Sequence, residues 1–389
     1  MRVALVSARF PPQSCGVGDY TYHVAAALAH QGLEVHVVTS LGTLDETLYP
    51  LPASVRIHRV VGAWEVTCLP AVVALIRRIR PDALLIQYVP HSYDPRGVTF
   101  TVNVLPTVIR LAARVRVVTN FHELYMPFGP SLGHTAAAAW QRTMAVATAA
   151  GSHAITVTAD EWLRRLRRMG VRRPVHVIPV GSNVPTAPLS VEDRGRLRVG
   201  LLGTEDGTLV GGFGAVHDRE PTLVLDALAA LKRDRPAKLV WIGGGGLHEP
   251  YRSNVHRAMR LHGLTEDDVV WTGVLPHTQV SRLLSSCDVV ALAYSDGVSS
   301  RRGSAIAVLQ HARPLLTTRG PAPDPRFVQG ESVYLVPVGD REGFRDALRT
   351  LASDSALRER LARGGAALYR KDFTWDVIAR RVAQVALDN

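Results

Sequence analysis

Short apolar runs alternate with segments of helical period along nearly the whole chain, and this alternation restricts the fold more than any other feature. In the first 40 residues a run at 2–7 leads into a loop at 8–17. A helical segment follows at 18–31, with Val24, Ala25, Leu28 and Ala29 at a 3.6-residue period, and then a second run at 34–39. Runs recur at 55–60, 83–88, 115–120, 154–158 and 175–179, with helical segments at about 69–80, 101–113 and 135–150. Another set lies at 208–213, 238–242, 269–272, 289–294 and 315–318, again with helices between, and an amphipathic segment at 373–387 is anchored by Trp375. Strands alternating with helices predict an α/β chain with mostly parallel, doubly wound sheets. In such sheets ligands sit beyond the C-terminal ends of the strands.

A chain of 389 residues exceeds one ordinary core and suits two domains. Pro185 and Pro188 mark residues 184–190 as a linker, which gives expected domains at 1–186 and 187–370, with a C-terminal helix at 371–389.

The strand ends supply the candidate site residues. Gly16, Val17, Gly18 and Asp19 precede a helix, where glycines let backbone amides approach a ligand. Without a third glycine, or an acid closing the next strand, they do not match the dinucleotide fingerprint. His91 follows the strand at 83–88, and His122 with Glu123 follows that at 115–120. Gly214 and the four glycines at 243–246 follow strands of the second half. Residues 296–314 read as loop and helix between two strands. Asp296, Ser299, Ser300, Arg301 and Arg302 lie in the loop, and the Gly303-Ser304 pair falls where the helix begins. Serine is a good N-cap, the helix start attracts anions, and two arginines add positive charge, so a phosphate group fits there.

Composition narrows the function. Hydrophobic residues make up 47% and charged residues 20%, which is ordinary for a globular protein. The net charge of +11 is concentrated before residue 185, where 18 Arg and no Lys face 10 acids. Part of that excess is Arg164, Arg165, Arg167, Arg168, Arg172 and Arg173, on a helix whose apolar face carries Trp162, Leu163, Leu166 and Met169. Such a face is either solvated or attracted to an anionic acceptor or acidic lipid surface. Nucleic acid is disfavoured by 6% aromatics and the lack of any recognisable module. Cys15, Cys68 and Cys287 are scattered and odd in number, so neither a disulfide framework nor a metal site is expected. With no signal-peptide pattern and no run of about 20 apolar residues, a cytoplasmic protein is expected, in peripheral contact with the inner membrane face if the basic half meets lipid. The Arg- and Ala-rich, Lys-poor composition suggests a bacterial source with a GC-rich genome.

Phe10-Pro-Pro-Gln-Ser-Cys-Gly-Val-Gly-Asp-Tyr20 resembles the N-terminal signature of the glycogen-synthase-like retaining glycosyltransferases, family 4. So do Ile178-Pro-Val-Gly-Ser-Asn183, Thr272-Gly-Val-Leu-Pro276, Ala312-Arg-Pro-Leu-Leu-Thr-Thr318 and the Trp375 helix. The resemblance implies the GT-B architecture, two Rossmann-like domains facing a cleft, with the C-terminal helix returning to the first. It implies transfer of a sugar from a nucleoside-diphosphate sugar to an acceptor that is a glycan, glycolipid or small metabolite, with retention and without metal or cofactor. Carried over by position, Gly16 and Gly18 approach the donor, and His122 contacts the reacting sugar. Arg219 neutralises pyrophosphate, or Glu220 stands there if the register shifts by one. Val274 touches the base, and Gly303 and Ser304 meet the donor. The family's two glutamates fall on Ser299 and Ala307, and its arginine before the phosphate lysine on Phe213 or Gly214. Arg301 and Arg302 are expected to compensate as phosphate ligands. The departures leave two alternatives: a non-enzymatic relative that kept the fold, or a membrane-surface transferase with a lipid-linked acceptor.

Overall fold

The computed structural model describes residues 1–13, 15–42, 49–129, 131–215, 220–243 and 251–388. Its contacts divide the chain into two units, Met1–Val180 with Trp375–Asn389, and Gly181–Thr374. The first carries strands β1 (Arg2–Val6), β2 (Glu34–Ser40), β3 (Val55–Val61), β4 (Ala83–Tyr88), β5 (Arg116–Phe121), β6 (Ala154–Val157) and β7 (Val175–Val177). Its helices are α1 (Gly16–His30), α2 (Leu69–Ile79), α3 (Pro90–Tyr93), α4 (Thr101–Ala112), α5 (Leu132–Gly151) and α6 (Asp160–Arg168). The second carries β8 (Thr208–Phe213), β9 (Ala237–Ile242), β10 (Val269–Trp271), β11 (Val289–Leu292), β12 (Leu315–Arg319) and β13 (Tyr334–Pro337). Its helices are α7 (Val191–Leu202), α8 (Pro221–Lys232), α9 (Tyr251–Leu261), α10 (His277–Ser286), α11 (Gly303–Gln310), α12 (Arg341–Ser353) and α13 (Ser355–Leu368). Helix α14 (Trp375–Leu387) belongs to the first unit.

Both sheets are parallel and Rossmann-like, in the orders β3-β2-β1-β4-β5-β6-β7 and β10-β9-β8-β11-β12-β13. This is the α/β make-up of the GT-B fold. Alternate residues of one strand feed opposite faces, as the two-residue period requires. Val3 and Leu5 of β1 join Val24 and Leu28 of α1 and Ile378 and Val382 of α14 in one core. Ala4 and Val6 join Val72 and Ile76 of α2 and Leu105 and Ile109 of α4 in the other. Each sheet reverses its order at one point, between β1 and β4 and between β8 and β11, which is where such sheets open a crevice for ligands.

Two details depart from the expectations. Helix α1 starts at Gly16, so Gly16 and Val17 lie in its first turn rather than in the loop before it. Helices α3, α7, α12 and α13 and strand β13 were not anticipated. Helix α7 buries only Leu202 fully, so it carries little apolar period, although Ser190 caps it by accepting the Asp193 amide at 3.0 Å. The pattern of α12 is plain in retrospect, with Phe344, Ala347, Leu348 and Leu351 buried at helical spacing.

At the crevice of the second sheet, the loop after β11 is laced to the end of β12 through backbone groups and the Thr318 hydroxyl. The Tyr294 amide donates to Thr318 Oγ1 at 2.8 Å, Thr318 Oγ1 donates to the Tyr294 carbonyl at 2.6 Å, and the Val298 amide donates to the Thr318 carbonyl at 2.8 Å. Gly297, at φ +88°, and Gly320 touch: a Cβ on Gly320 would lie 1.9 Å from the Asp296 carbonyl oxygen, and one on Gly297 2.1 Å from the Gly320 nitrogen. Backbone cannot yield as a flexible side chain does. Gly320→Ala is expected to destabilise the second unit by about 3 kcal/mol or more, read as a lower urea midpoint for that unit's transition. An unchanged midpoint would refute the close packing.

Candidate active site

In the first unit the polar groups at the β1/β4 crevice come from four elements. Gln87 on β4 and Asn120 on β5 are partners in register, so their side chains emerge on the same face. Both are buried, and Asn120 Nδ2 donates to Gln87 Oε1 at 2.9 Å. His122 follows directly after β5, and its Nε2 lies 2.8 Å from the same Gln87 oxygen. Asn120 Nδ2 lies 3.1 Å from the same His122 Nε2, but the contact to the Gln87 oxygen is the shorter, and an amide oxygen only accepts, which puts the imidazole proton on Nε2 and leaves the Asn120 contact without a shared proton. The His122 backbone is fixed as well: its amide donates to the Tyr88 carbonyl at 3.1 Å, and its carbonyl accepts from Trp162 Nε1 at 3.2 Å.

Tyr20, one turn into α1, closes the cluster with its ring edge-on to His122 at 4.7 Å. Trp375 at the start of α14 meets Tyr20 at 5.5 Å and stacks on His23 at 4.7 Å. Tyr20 and His23 are three residues apart, on one face of α1. Burial pushes the His122 imidazole down to about 3, so the ring is neutral at physiological pH. Burial also pushes the Tyr20 phenol well up, and the nearby Asn120 side chain offsets only part of that rise. The Tyr20 hydroxyl lies within hydrogen-bonding reach of the Asn120 side chain, but among the described residues neither it nor Asn120 Oδ1 completes a bond of good geometry. Each such buried group costs about 1–3 kcal/mol unless water or a ligand supplies a partner.

The structure therefore brings the Gly16–Asp19 turn and His122 together through Tyr20. Gly16 is exposed, Val17 and Asp19 are half-buried, and Gly18 is buried, where a Cβ would lie 3.0 Å from the Arg9 carbonyl oxygen. His91, on α3, instead turns to the Pro95 carbonyl at 3.4 Å and to Gln141, and Glu123 is exposed.

In the second unit, Asp296 forms ion pairs with both Arg301 and Arg302. This corrects the expectation of two uncompensated positive charges beside the helix, because a carboxylate from the same loop sits on them. Burial raises the Asp296 carboxyl, but Arg302 and Arg301 outweigh it and hold the carboxyl below the usual carboxylate range. Arg302 also lies over the Tyr294 ring at 4.7 Å, a cation–π contact, and is only 8% exposed. The N-cap expectation is corrected too. Arg302 occupies the N-cap position, and Ser304, inside the first turn of α11, places its hydroxyl 2.8 Å from the Tyr294 hydroxyl. Ser299 is half-buried and its carbonyl accepts the Arg302 amide at 3.0 Å, while the Ser300 amide is taken by Asp324 at 2.8 Å. Ala307 is 1% exposed in the core, a position with no room for a solvated carboxylate. Gly214 has φ +86° and accepts Trp241 Nε1 at 2.9 Å, while Val274 is 81% exposed. Arg219 and residues 244–246 lie outside the described residues.

Sequence reasoning missed Gln87, Asn120, Tyr20 and Tyr294. The first two carried a signal, being the polar side chains near the ends of otherwise apolar parallel strands.

Residues 15–181 match the glycosyl transferase 4-like domain, and residues 207–354 match the glycosyl transferases group 1 domain. The chain belongs to this glycosyltransferase family. Over 175 residues it is 27% identical to the glycogen synthases of Mycobacterium tuberculosis strains CDC 1551 / Oshkosh and ATCC 25618 / H37Rv, which is 44% of this chain and 39% of theirs. The match thus spans well under half the length of these curated relatives. Among solved structures, Anabaena Alr3699/HepE in complex with UDP and glucose has a TM-score of 0.74 at 16% identity, covering 99% of both chains. Sucrose-phosphate synthase from Thermosynechococcus elongatus has a TM-score of 0.72 at 18% identity, covering 99% of this chain and 98% of its own. At these identities the likeness is one of fold. No described helix is long and apolar enough to cross a membrane.

The low His122 value has a consequence for stability. Between about pH 6.5 and 3 the unfolded chain protonates this histidine and the folded chain does not. The contribution is therefore present above 6.5 and is lost as the pH falls through that window, at up to about 1.4 kcal/mol per pH unit. Urea unfolding from pH 7 to 4.5 is expected to show a shallower loss for His122→Gln than for the wild type. Parallel curves would show that His122 titrates normally.

Proposed function

We propose that the chain transfers a glycosyl group, with retention, from a nucleoside-diphosphate sugar to a sugar-containing or small-molecule acceptor. The observation that carries this reading is the neutral His122, held by Gln87 at the crevice of the first sheet beside the Tyr20 and Asn120 side chains. A neutral imidazole can hydrogen-bond a hydroxyl without setting a positive charge against a reacting centre of oxocarbenium character. The first-turn amides of α1, with Gly16 giving close access, suit the donor sugar or its diphosphate.

On the second unit, the start of α11 with Gly303 and Ser304 suits the departing diphosphate, whose growing charge is stabilised by fixed dipoles and arginines. Arg301 and Arg302 serve here as part of an ion-paired cluster with Asp296, so their net charge is smaller than two. Arg219 is assigned to the pyrophosphate, Val274 and Gly214 to the nucleotide, and Ser299 and Ser300 to the donor loop. We place the enzyme in the bacterial cytoplasm, without metal or cofactor. The exposed arginines Arg168 and Arg172 support contact with an anionic acceptor or lipid surface.

A second reading is favoured by one observation. The buried Ala307 removes a carboxylate position outright, which fits a relative that binds nucleotide sugars without turning them over. Incubation with UDP-, GDP- and dTDP-sugars and an acceptor panel separates the two. The expected result is release of nucleoside diphosphate and an α-linked product from an α-linked donor, with His122→Ala slowing kcat at least about 100-fold, the order seen when one preorganised donor is lost. Calorimetric binding of donor without turnover on any acceptor would favour the second reading.

The ion-paired cluster makes its own prediction. Asp296→Asn removes the carboxylate paired with the two guanidinium groups and is expected to tighten nucleoside-diphosphate binding by several-fold at low salt, measured by calorimetry. Weaker binding would mean that Asp296 itself holds the ligand.

A further inference from the structure

The first unit holds a cavity of about 660 Å³ that is separate from the crevice described above. Arg116, His153, Arg173, His176, Arg381 and Asp388 line it together with apolar residues of β7 and α14. Arg116 opens β5 and His122 follows its far end, so the two sites lie about 20 Å apart along the strand at ~3.3 Å per residue. Among the described residues, the lining brings three guanidinium groups together with one side-chain carboxylate, that of Asp388.

Arg116, Arg173 and His153 are the lining groups placed to meet an anion. Among the described residues, Arg116 Nε is buried without a hydrogen-bond partner, and its Nη2 reaches only the Val385 carbonyl at 3.4 Å. Arg173 donates to the Ala150 carbonyl at 3.2 Å, and among the described residues neither Arg116 nor Arg173 forms an ion pair. His153 Nδ1 accepts the Val117 amide at 3.0 Å, which leaves the proton on Nε2 as a donor. Burial, then Arg116, Arg110 and Arg173, push the His153 imidazole below its ordinary value, which places these positive groups around the ring. Like charges gathered in a half-buried pocket repel one another, and a bound anion relieves that repulsion.

We propose that this pocket binds the phosphate group of a phosphate ester, with the guanidinium groups of Arg116 and Arg173 and the His153 Nε2–H as its ligands. The cavity is much larger than a phosphate group, and its apolar wall of Val177, Ile178 and Val385 accommodates an organic body. A free metabolite and a lipid headgroup present the same chemistry, so the test separates them.

Calorimetry on the full chain with inorganic phosphate and glycerol 3-phosphate is expected to show saturable binding below about 10 mM, tighter for the ester, and weakened at least tenfold in Arg116→Gln/Arg173→Gln. NMR titration is expected to move the His153 pKa upward when glycerol 3-phosphate is present. Thermal melting checks that the variant folds; if it does not, Arg173→Gln alone is expected to weaken binding at least threefold. Absence of saturable binding, or equal affinity in wild type and variant, would overturn the proposal. In the vesicle arm, sedimentation with phosphatidic acid vesicles that is lost in the variant assigns the ester to lipid, and binding of glycerol 3-phosphate alone assigns it to a soluble molecule. Vesicle binding that persists in the variant, with no glycerol 3-phosphate binding, would place the anion contact elsewhere on the surface and refute the pocket.

Discussion

Parallel register between β4 and β5 sets Gln87 beside Asn120, and the candidate site of the first unit depends on that pairing. A one-residue slip would turn one of the two side chains to the opposite face of the sheet. Register is held because the residues before them, Leu84 to Ile86 and Val117 to Thr119, are buried and fill the cores on both faces. The apolar strands thus act at a distance on the chemistry: they decide that an amide oxygen is available to accept the His122 proton. A neutral histidine follows from this local geometry.

The second unit solves a similar problem with backbone. Two glycines in contact and a threonine that both accepts from and donates to Tyr294 bring the loops after β11 and β12 together. The loop so fixed carries Asp296, Arg301 and Arg302, and their mutual ion pairs keep it compact without a ligand. Nearly isolated arginines would be strong but indiscriminate anion ligands. Paired to a carboxylate and packed on Tyr294, they are a graded positive surface with fixed orientation.

Much of this was legible in the sequence. Apolar runs bounded by glycine and proline located the strands of both sheets up to β12, and the strand-end rule pointed to His122 and to the loop at 296–304. Other parts were not legible. Whether Arg301 and Arg302 are exposed or paired depends on where Asp296 folds back, and no periodicity encodes that. Ser304 looked like a cap because serine usually is one, but its hydroxyl is drawn to Tyr294 instead. Gln87 and Asn120 were visible as polar residues in apolar strands, and only the strand register shows that they meet. Helices α12 and α13 carried ordinary amphipathic patterns and went unread.

The neutral, Gln87-bound imidazole is the point on which the functional reading turns, and nitrogen-15 NMR of histidine-labelled protein tests it directly. At pH 5 the His122 ring is expected to remain neutral with its proton on Nε2, while exposed histidines are protonated. A His122 ring that is cationic at pH 5 and titrates near 6.5 would contradict the buried cluster and, with it, the role assigned to this residue.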